Sequence, residues 1–402
     1  MSNNPVRILH VIGAMNRAGA ESMLMNLYRA CDVDRIQFDF IVNDEGDYDD
    51  EIIARGGRIY RIPRYTIANR HAYRKACVEF FDNHNEFPIV HGPIGLPAAI
   101  YLKEARKRGI YAVAHSHAQN YPLSLTEAVF RIESRPVRRN ADYFMACSRQ
   151  AGIDRFGKDV VEDEARFHVL NNGIDLAAYR FDEEARRTLR RNMGIGESVP
   201  VFGHVGRFDP VKNHRFLLET FACILRREPT AKLVLAGKPD DGAVRAHARE
   251  LGIEDDVVFL GVRDDVARVL CAFDVFVFTS FKEGLGMAVV EAQASGLPCV
   301  VSTGVPTIAR VSDAASFLDL DQGAEVWAET ALAKLDERPA RRDAFIEDVR
   351  AAGFDIETTA AWLQGFYLDR AALPLTPRAH HSRNKRRASS QGPSRLSITS
   401  NP

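Results

Sequence analysis

The stretch VFVFTSFKEGLGMAVVEAQASGLPCVVS, residues 275–302, carries a strand, a glycine turn, a helix and a second strand in one run. Val275–Thr279 alternates β-branched and aromatic residues, the composition of a buried strand. Gly284, Leu285 and Gly286 make a tight turn, and a helix runs from about Met287. That helix stops at Gly296, with Pro298 just beyond. Glycine tolerates the left-handed step that ends a helix, and proline cannot continue one. Pro298–Ser302 (PCVVS) is the next strand. A strand, a helix and a strand in this order are the unit of a parallel sheet covered on both faces.

The same grammar extends outward. Val199–Val205, Lys232–Ala236 and Val257–Leu260 read as strands, with helices near Asn213–Leu225, Gly242–Leu251 and Val266–Cys271. In the first half, Val6–Ile12, Gln37–Val42, Gly57–Ile62, Ile89–His91, Ile110–Ala114 and Tyr143–Ala146 are strand runs. Gly19–Cys31 has helical apolar spacing at Met23, Leu24 and Leu27. Asn171-Asn172-Gly173 is a turn signal, and the polar, charge-rich Arg180–Ser198 after it marks a domain junction. The expected architecture is therefore two α/β domains, 1–180 and 196–353, each doubly wound. Phe354–Leu373 reads as a last amphipathic helix. Ligands of such sheets sit at the carboxyl ends of strands, so the site falls in the cleft between the domains.

Composition excludes other classes. Of 402 residues, 46% are hydrophobic and 27% charged, which rules out a disordered, collagen-like or long coiled-coil chain. The net charge of −1 gives no global field for nucleic acid. Residues 376–402 carry Lys and Arg but no Asp or Glu, and few apolar groups, so this tail is expected to be disordered. It could be a solvated extension, or it could touch nucleic acid, or anionic lipid together with Arg135, Arg138 and Arg139. The six cysteines form no CxxC pair and no zinc-ligand spacing, which points to buried thiols in a reducing compartment. No signal-peptide order opens the sequence, and no window of about 18 residues is continuously apolar. A soluble cytoplasmic protein is expected, with possible peripheral contact at the inner face of the membrane.

Four stretches could carry chemistry. Glu283 and the turn Gly284-Leu285-Gly286 precede the helix at Met287, whose free N–H groups form an anion site, and Glu291 lies one turn further in. Two carboxylates there could accept hydrogen bonds from sugar hydroxyls. The plain alternative is a glycine-turned helix start with a surface glutamate. In GRFDPVKNH, Arg207 and Lys212 could converge on a diphosphate, or be two exposed cations. The loop Gly13–Glu21 joins the first strand and helix without the dinucleotide fingerprint; Gly19 could bring backbone to a phosphate. His115 and His117 follow a strand, with His91 on the same rim, and could donate hydrogen bonds or shuttle protons. Two histidines without a nearby acid or thiol are a poor metal set.

Together these residues resemble the retaining glycosyltransferases of family 4, the "glycosyl transferases group 1" enzymes. Their GT-B fold has two Rossmann-like doubly wound domains facing across a cleft, with a C-terminal crossover helix. The resemblance runs from Val6 to about Leu373. It rests on Glu283 and Glu291 in EGLGMAVVEAQASGLP, on Arg207 and Lys212, and on GAE at Gly19–Glu21, HSH at His115–His117, ACS at Ala146–Ser148 and NNGID at Asn171–Asp175. It is similar to the bacterial capsule and exopolysaccharide branch. It implies a UDP- or GDP-sugar donor held by the second domain, a glycan or lipid-linked acceptor on the first, and no bound metal. Arg207 and Lys212 would hold the diphosphate. Glu283 and the backbone of Gly284, Leu285, Gly286 and Met287 would hold the donor sugar. Glu291 would bind the ribose, Val262 would flank the base, and Gly19 would close over the phosphates. His115 matches the family's catalytic-cleft histidine, with His117 second. Phe354–Leu373 would be the crossover helix. One departure is Ala18-Gly19, where the family usually has two glycines. The competing readings are another GT-B enzyme, such as a nucleotide-sugar 2-epimerase, and a non-catalytic sugar-nucleotide-binding protein. The second of these predicts loss of Arg207, Lys212, Glu283 or Glu291, and all four are present.

Overall fold

The computed structural model describes residues 4–17, 19–93, 95–117, 125–237, 242–337 and 342–373. Ala18 and the basic tail lie outside the described residues.

The first sheet is built from β1 (Val6–Val11), β2 (Ile36–Val42), β3 (Ile59–Arg61), β4 (Ile89–Pro93), β5 (Tyr111–Ser116), β6 (Tyr143–Ala146) and β7 (Phe167–Val169). The second is built from β8 (Val201–Val205), β9 (Lys232–Ala236), β10 (Val257–Gly261), β11 (Val275–Phe278), β12 (Cys299–Ser302) and β13 (Ala315–Leu318). Their orders are β3-β2-β1-β4-β5-β6-β7 and β10-β9-β8-β11-β12-β13. Every pairing is parallel, so each interior strand is covered on both faces and reads as a continuous apolar run. β2, for example, is buried along its whole length. Both sheets reverse winding direction at an inner strand, β1 beside β4 and β8 beside β11. These are the switch points where such sheets open a crevice for ligands.

Each sheet has a core on either face. One core of the first sheet is completed from the far end of the sequence. The helix Ile356–Ala371 buries Ile356, Ala360, Leu363, Phe366 and Tyr367 against β1, β2, β4 and the helix Gly19–Ala30. Each such large apolar side chain contributes about 1.5–3 kcal/mol when fully buried. This is the crossover helix of the expected fold. The chain passes between the domains twice, and the two passages are tied together. The Ile174 N–H donates to the Phe354 carbonyl at 2.8 Å, and the Ile356 N–H returns to the Ile174 carbonyl at 3.0 Å. Gly173 has to be small here, because a Cβ would lie 2.7 Å from the Ile356 Cα.

The junction expected at Arg180–Ser198 is corrected by the structure. Ile174 and Leu176 already belong to the second core, and Glu183–Asn192 is a helix packed on it through Leu189. Its charge density misleads because Arg190 is fully buried. Its Nη2 donates to Asp274 at 2.6 Å, and Arg186 reaches the same carboxylate at 2.8 Å. A buried charge is tolerated when paired and hydrogen-bonded in this way.

Candidate functional site

The second domain's switch point is framed by two loops. After β8 the chain turns through Gly206, Arg207 and Asp209 into a 3₁₀ turn, Pro210–Lys212. Asp209 caps that turn by accepting from the Val211 N–H at 2.9 Å. Asn213 takes a left-handed φ of 54°, which ends the turn and starts the helix His214–Leu225. After β11, Thr279 donates to the carbonyls of Lys212 and Asn213, both at 3.1 Å. The Phe281 N–H donates to the Val211 carbonyl at 2.8 Å. The two loops are therefore stitched edge to edge.

This stitching brings Lys212 to Glu283. Lys212 Nζ lies 2.7 Å from Glu283 Oε1 and 4.6 Å from the centre of the Phe278 ring. Both side chains are half-buried. The pair sits just before the helix Met287–Ala294, whose N-cap, Gly286, has φ +82°. A Cβ on Gly286 would come within 2.5 Å of Val305. Gly284, by contrast, is exposed, with nothing within 4 Å of where its Cβ would stand. The turn thus leaves open space on its outer side at a helix start, where N–H groups lack intrahelical acceptors. The Leu285 side chain belongs to the core, so that residue could offer only its backbone to a ligand.

Glu291, one turn into the helix, is half-buried with the Tyr179 hydroxyl against it. Burial pushes its carboxyl up to about 7, and the hydrogen bond from Tyr179 holds it down. Tyr179 carries no motif and is missed by sequence reasoning. Arg207 is exposed, and no described side chain pairs with it. The sequence therefore places two cations in one loop, and the structure gives a carboxylate partner to one of them. Val262, in the loop after β10, is 60% exposed. Behind the loops stand two further histidines without a sequence signal. His204 donates from Nδ1 to the Val277 carbonyl at 3.0 Å, and its Nε2 has no partner among the described residues. His214 Nε2 is likewise unpartnered.

The first domain contributes two elements. Gly19 opens the helix Gly19–Ala30 with nothing within 4 Å of its would-be Cβ. Arg17, in the same loop, forms an ion pair with Asp264 after β10, so the loops of the two domains touch across the cleft. His115 is 1% exposed and bonds through Nδ1 to His91 Nε2 at 3.1 Å. His117 is half-buried, with its ring centre 4.0 Å from that of His115. Burial holds both rings below the usual histidine range, His117 at about 4. Among the described residues no three His, Cys, Asp or Glu side chains are grouped to hold a metal ion. None of the described helices is long and apolar enough to cross a membrane.

Comparison with known proteins places this geometry. Residues 17–178 match the family described as Glycosyltransferase Family 4, and residues 199–335 match Glycosyl transferases group 1. The putative glycosyltransferase EpsF of Bacillus subtilis (strain 168) is 37% identical over 383 residues, covering 91% of this chain and 97% of that protein. The UDP-Gal:alpha-D-GlcNAc-diphosphoundecaprenol alpha-1,3-galactosyltransferase of Escherichia coli is 30% identical over 152 residues, 36% of this chain and 38% of that protein. Among solved structures, Anabaena Alr3699/HepE in complex with UDP superposes with a TM-score of 0.75 at 18% identity, covering 90% of this chain and 100% of that one. With the doubly wound sheets, the crossover helix and both family matches in hand, the chain belongs to glycosyltransferase family 4 and is a glycosyltransferase of the GT-B fold.

Proposed function

We propose that this enzyme transfers a sugar, with retention of configuration, from a nucleotide-diphosphate sugar to a polysaccharide or lipid-linked glycan acceptor in surface polysaccharide biosynthesis. The observation that carries this reading is the Lys212–Glu283 pair, set at an open helix start beside the β8/β11 switch point. A diphosphate arriving there meets Lys212, the exposed Arg207 and the N–H groups at Met287. These charges stabilise the departing nucleotide without a bound metal. Displaced from Lys212 in part, Glu283 is an acceptor for hydroxyls of the donor sugar. Gly284 leaves room for close approach, and Leu285, Gly286 and Met287 supply backbone. Glu291 accepts from the ribose, Val262 flanks the base, and Gly19 closes over the phosphates from the first domain. His115 and His117 stand on the acceptor side.

The names of the relatives support the substrates. HepE was solved with UDP, and the E. coli relative is named for a UDP-sugar donor and a diphosphoundecaprenol-linked acceptor. A lipid-linked acceptor would bring the enzyme to the inner face of the membrane. There, exposed Ile132 with Arg135 and Arg139 offers an apolar and basic contact for anionic lipid.

The test is a thermal-shift panel of the purified protein with UDP, GDP, ADP and their sugar conjugates. A ligand that binds only the folded state raises the melting point by mass action. One nucleotide family is expected to raise it, unchanged by EDTA and lost in Glu291→Gln. No shift with any nucleotide at high concentration would overturn a preformed donor site. Sedimentation with anionic vesicles separately tests the lipid contact: Arg135→Glu/Arg139→Glu is expected to reduce pelleting, and equal pelleting would remove it.

A further inference from the structure

The first sheet carries a row of buried histidines that the reading above uses only at its end. His10 on β1, His91 on β4 and His115 on β5 come from three adjacent strands. Ring centres are 5.2 Å apart from His10 to His91 and again from His91 to His115, then 4.0 Å from His115 to His117. The crossover helix lays Tyr367 against this row. The Tyr367 hydroxyl is 2.5 Å from His91 Nδ1, and His91 Nε2 is 3.1 Å from His115 Nδ1. All of these side chains except His117 are at most 2% exposed.

One direction of the protons in this chain of bonds leaves the buried phenol with an acceptor. Burial keeps the Tyr367 phenol and both imidazoles neutral. A phenol has one proton to give, and the acceptor within reach among the described residues is His91 Nδ1. A neutral imidazole holds one N–H. The His91 proton therefore sits on Nε2 and is donated to His115 Nδ1. That places the His115 proton on Nε2. This Nε2 is fully buried and has no partner among the described residues, and neither has Nδ1 of His117 on the neighbouring ring. An unmet buried donor is costly, so it marks where a polar ligand atom gains most. Both orphaned nitrogens lie at the carboxyl end of β5, the side on which α/β sheets take ligands.

We propose that Tyr367 and His91 are positioning residues for the transfer: they hold the proton of His115 on Nε2, so that the end of β5 meets a substrate oxygen with a hydrogen-bond donor and not with a base. The proposal rests on the glycosyltransferase reading for its chemistry, but not for its proton placement. It also joins the crossover helix, which comes from the end of the chain, to the acceptor side of the cleft.

Two measurements on the full chain test it. With histidine labelled in ¹⁵N, two-bond ¹⁵N–¹H correlations distinguish Nε2–H from Nδ1–H, and the His115 signals are assigned by their loss in His115→Gln. The wild type is expected to show Nε2–H at both His91 and His115. In Tyr367→Phe the His115 proton is expected to spread over both nitrogens, with kcat down tenfold or more and KM for the donor within twofold. A role in packing alone would not move the tautomer. Nδ1–H at His115 in the wild type would overturn the proposal, and so would an unchanged tautomer or an unchanged kcat in Tyr367→Phe. If that variant does not fold, the wild-type spectrum alone decides. A wild type that transfers no sugar from any nucleotide donor would instead remove the functional reading, while the spectrum still reports on the relay.

Discussion

Arg207 and Lys212 belong to one loop but have different neighbours, and that difference is measurable residue by residue. Arg207 is exposed and unpaired among the described side chains, so Arg207→Ala should leave stability within about 0.5 kcal/mol of wild type. It should still weaken diphosphate binding by about 1.5–3 kcal/mol, the worth of a charge-assisted hydrogen bond. Lys212→Ala should weaken binding similarly and also lower the melting point, because Glu283 is left half-buried without its partner. Calorimetric titration with UDP and GDP, beside thermal melts, separates the two outcomes. Normal affinity in both variants would place the diphosphate elsewhere. Glu291 behaves in the opposite sense. Its folded pKa of about 7 lies above the unfolded value of 4.5, so ionisation opposes folding. The penalty is complete above pH 7 and is relieved as pH falls from 7 to 4.5. Glu291→Gln should therefore be more stable at pH 8, by up to about 3 kcal/mol, while binding nucleotide less well. The gain should vanish near pH 4. A variant less stable at pH 8 would make the Tyr179 contact structural.

At the scale of elements, the turn before the helix Met287–Ala294 makes two neighbouring glycines inequivalent. Gly286→Ala puts a Cβ into Val305 at a left-handed φ, and should cost roughly 1–3 kcal/mol of stability together with nucleotide affinity. Gly284→Ala meets open space and should lose affinity with the melting point unchanged. Equal melting losses in both would show that the turn is not built as described. The elements themselves were largely legible. The runs VFVFT, KLVLA, PCVVS and YFMA became strands to within a residue or two, because a strand buried on both faces has to be apolar throughout. β7 and β13 were not legible: they are short strands at sheet edges, with too little apolar run to show periodicity. Glu183–Asn192 read as a linker because local composition does not reveal that Asp274 waits, far along the chain, to pair its arginines. The candidate site divides in the same way. Motif residues stand at the carboxyl ends of strands, as parallel sheets require. The partners that set their chemistry, Tyr179 for Glu291 and Tyr367 for His91, come from distant segments and carry no local pattern.

Across the whole molecule, the buried histidines make the two domains unequal towards acid. His10 is held at about 3 and His117 at about 4, with His91 and His115 also well below the ordinary range, all in the first domain. His204 and His214 are the depressed pair in the second. Between pH 6.5 and about 4 the unfolded chain binds protons that the folded chain refuses, so stability falls as pH falls. Each histidine contributes up to about 1.4 kcal/mol per pH unit in that window. Burial also lowers His168, so five of the described histidines against two mean that the first domain should open at the higher pH. The two tryptophans report separately: Trp362 lies on the crossover helix, stacked on His168, and Trp327 is buried in the second domain. In Trp327→Phe, which leaves Trp362, emission should change at a higher pH than in Trp362→Phe. The reverse order would mean that these histidines do not set acid stability. The crossover helix also has a bearing on synthesis. The first domain's sheet is complete once Val169 has been made, but Leu363, Phe366 and Tyr367 of its core are added only after the whole second sheet. At about 5–20 residues per second, that face stays uncovered for roughly ten to forty seconds on the ribosome. During that interval the nascent first domain presents an apolar face of the kind chaperones bind. Synthesis of the second domain, more than that of the first domain's own strands, sets when that face is closed.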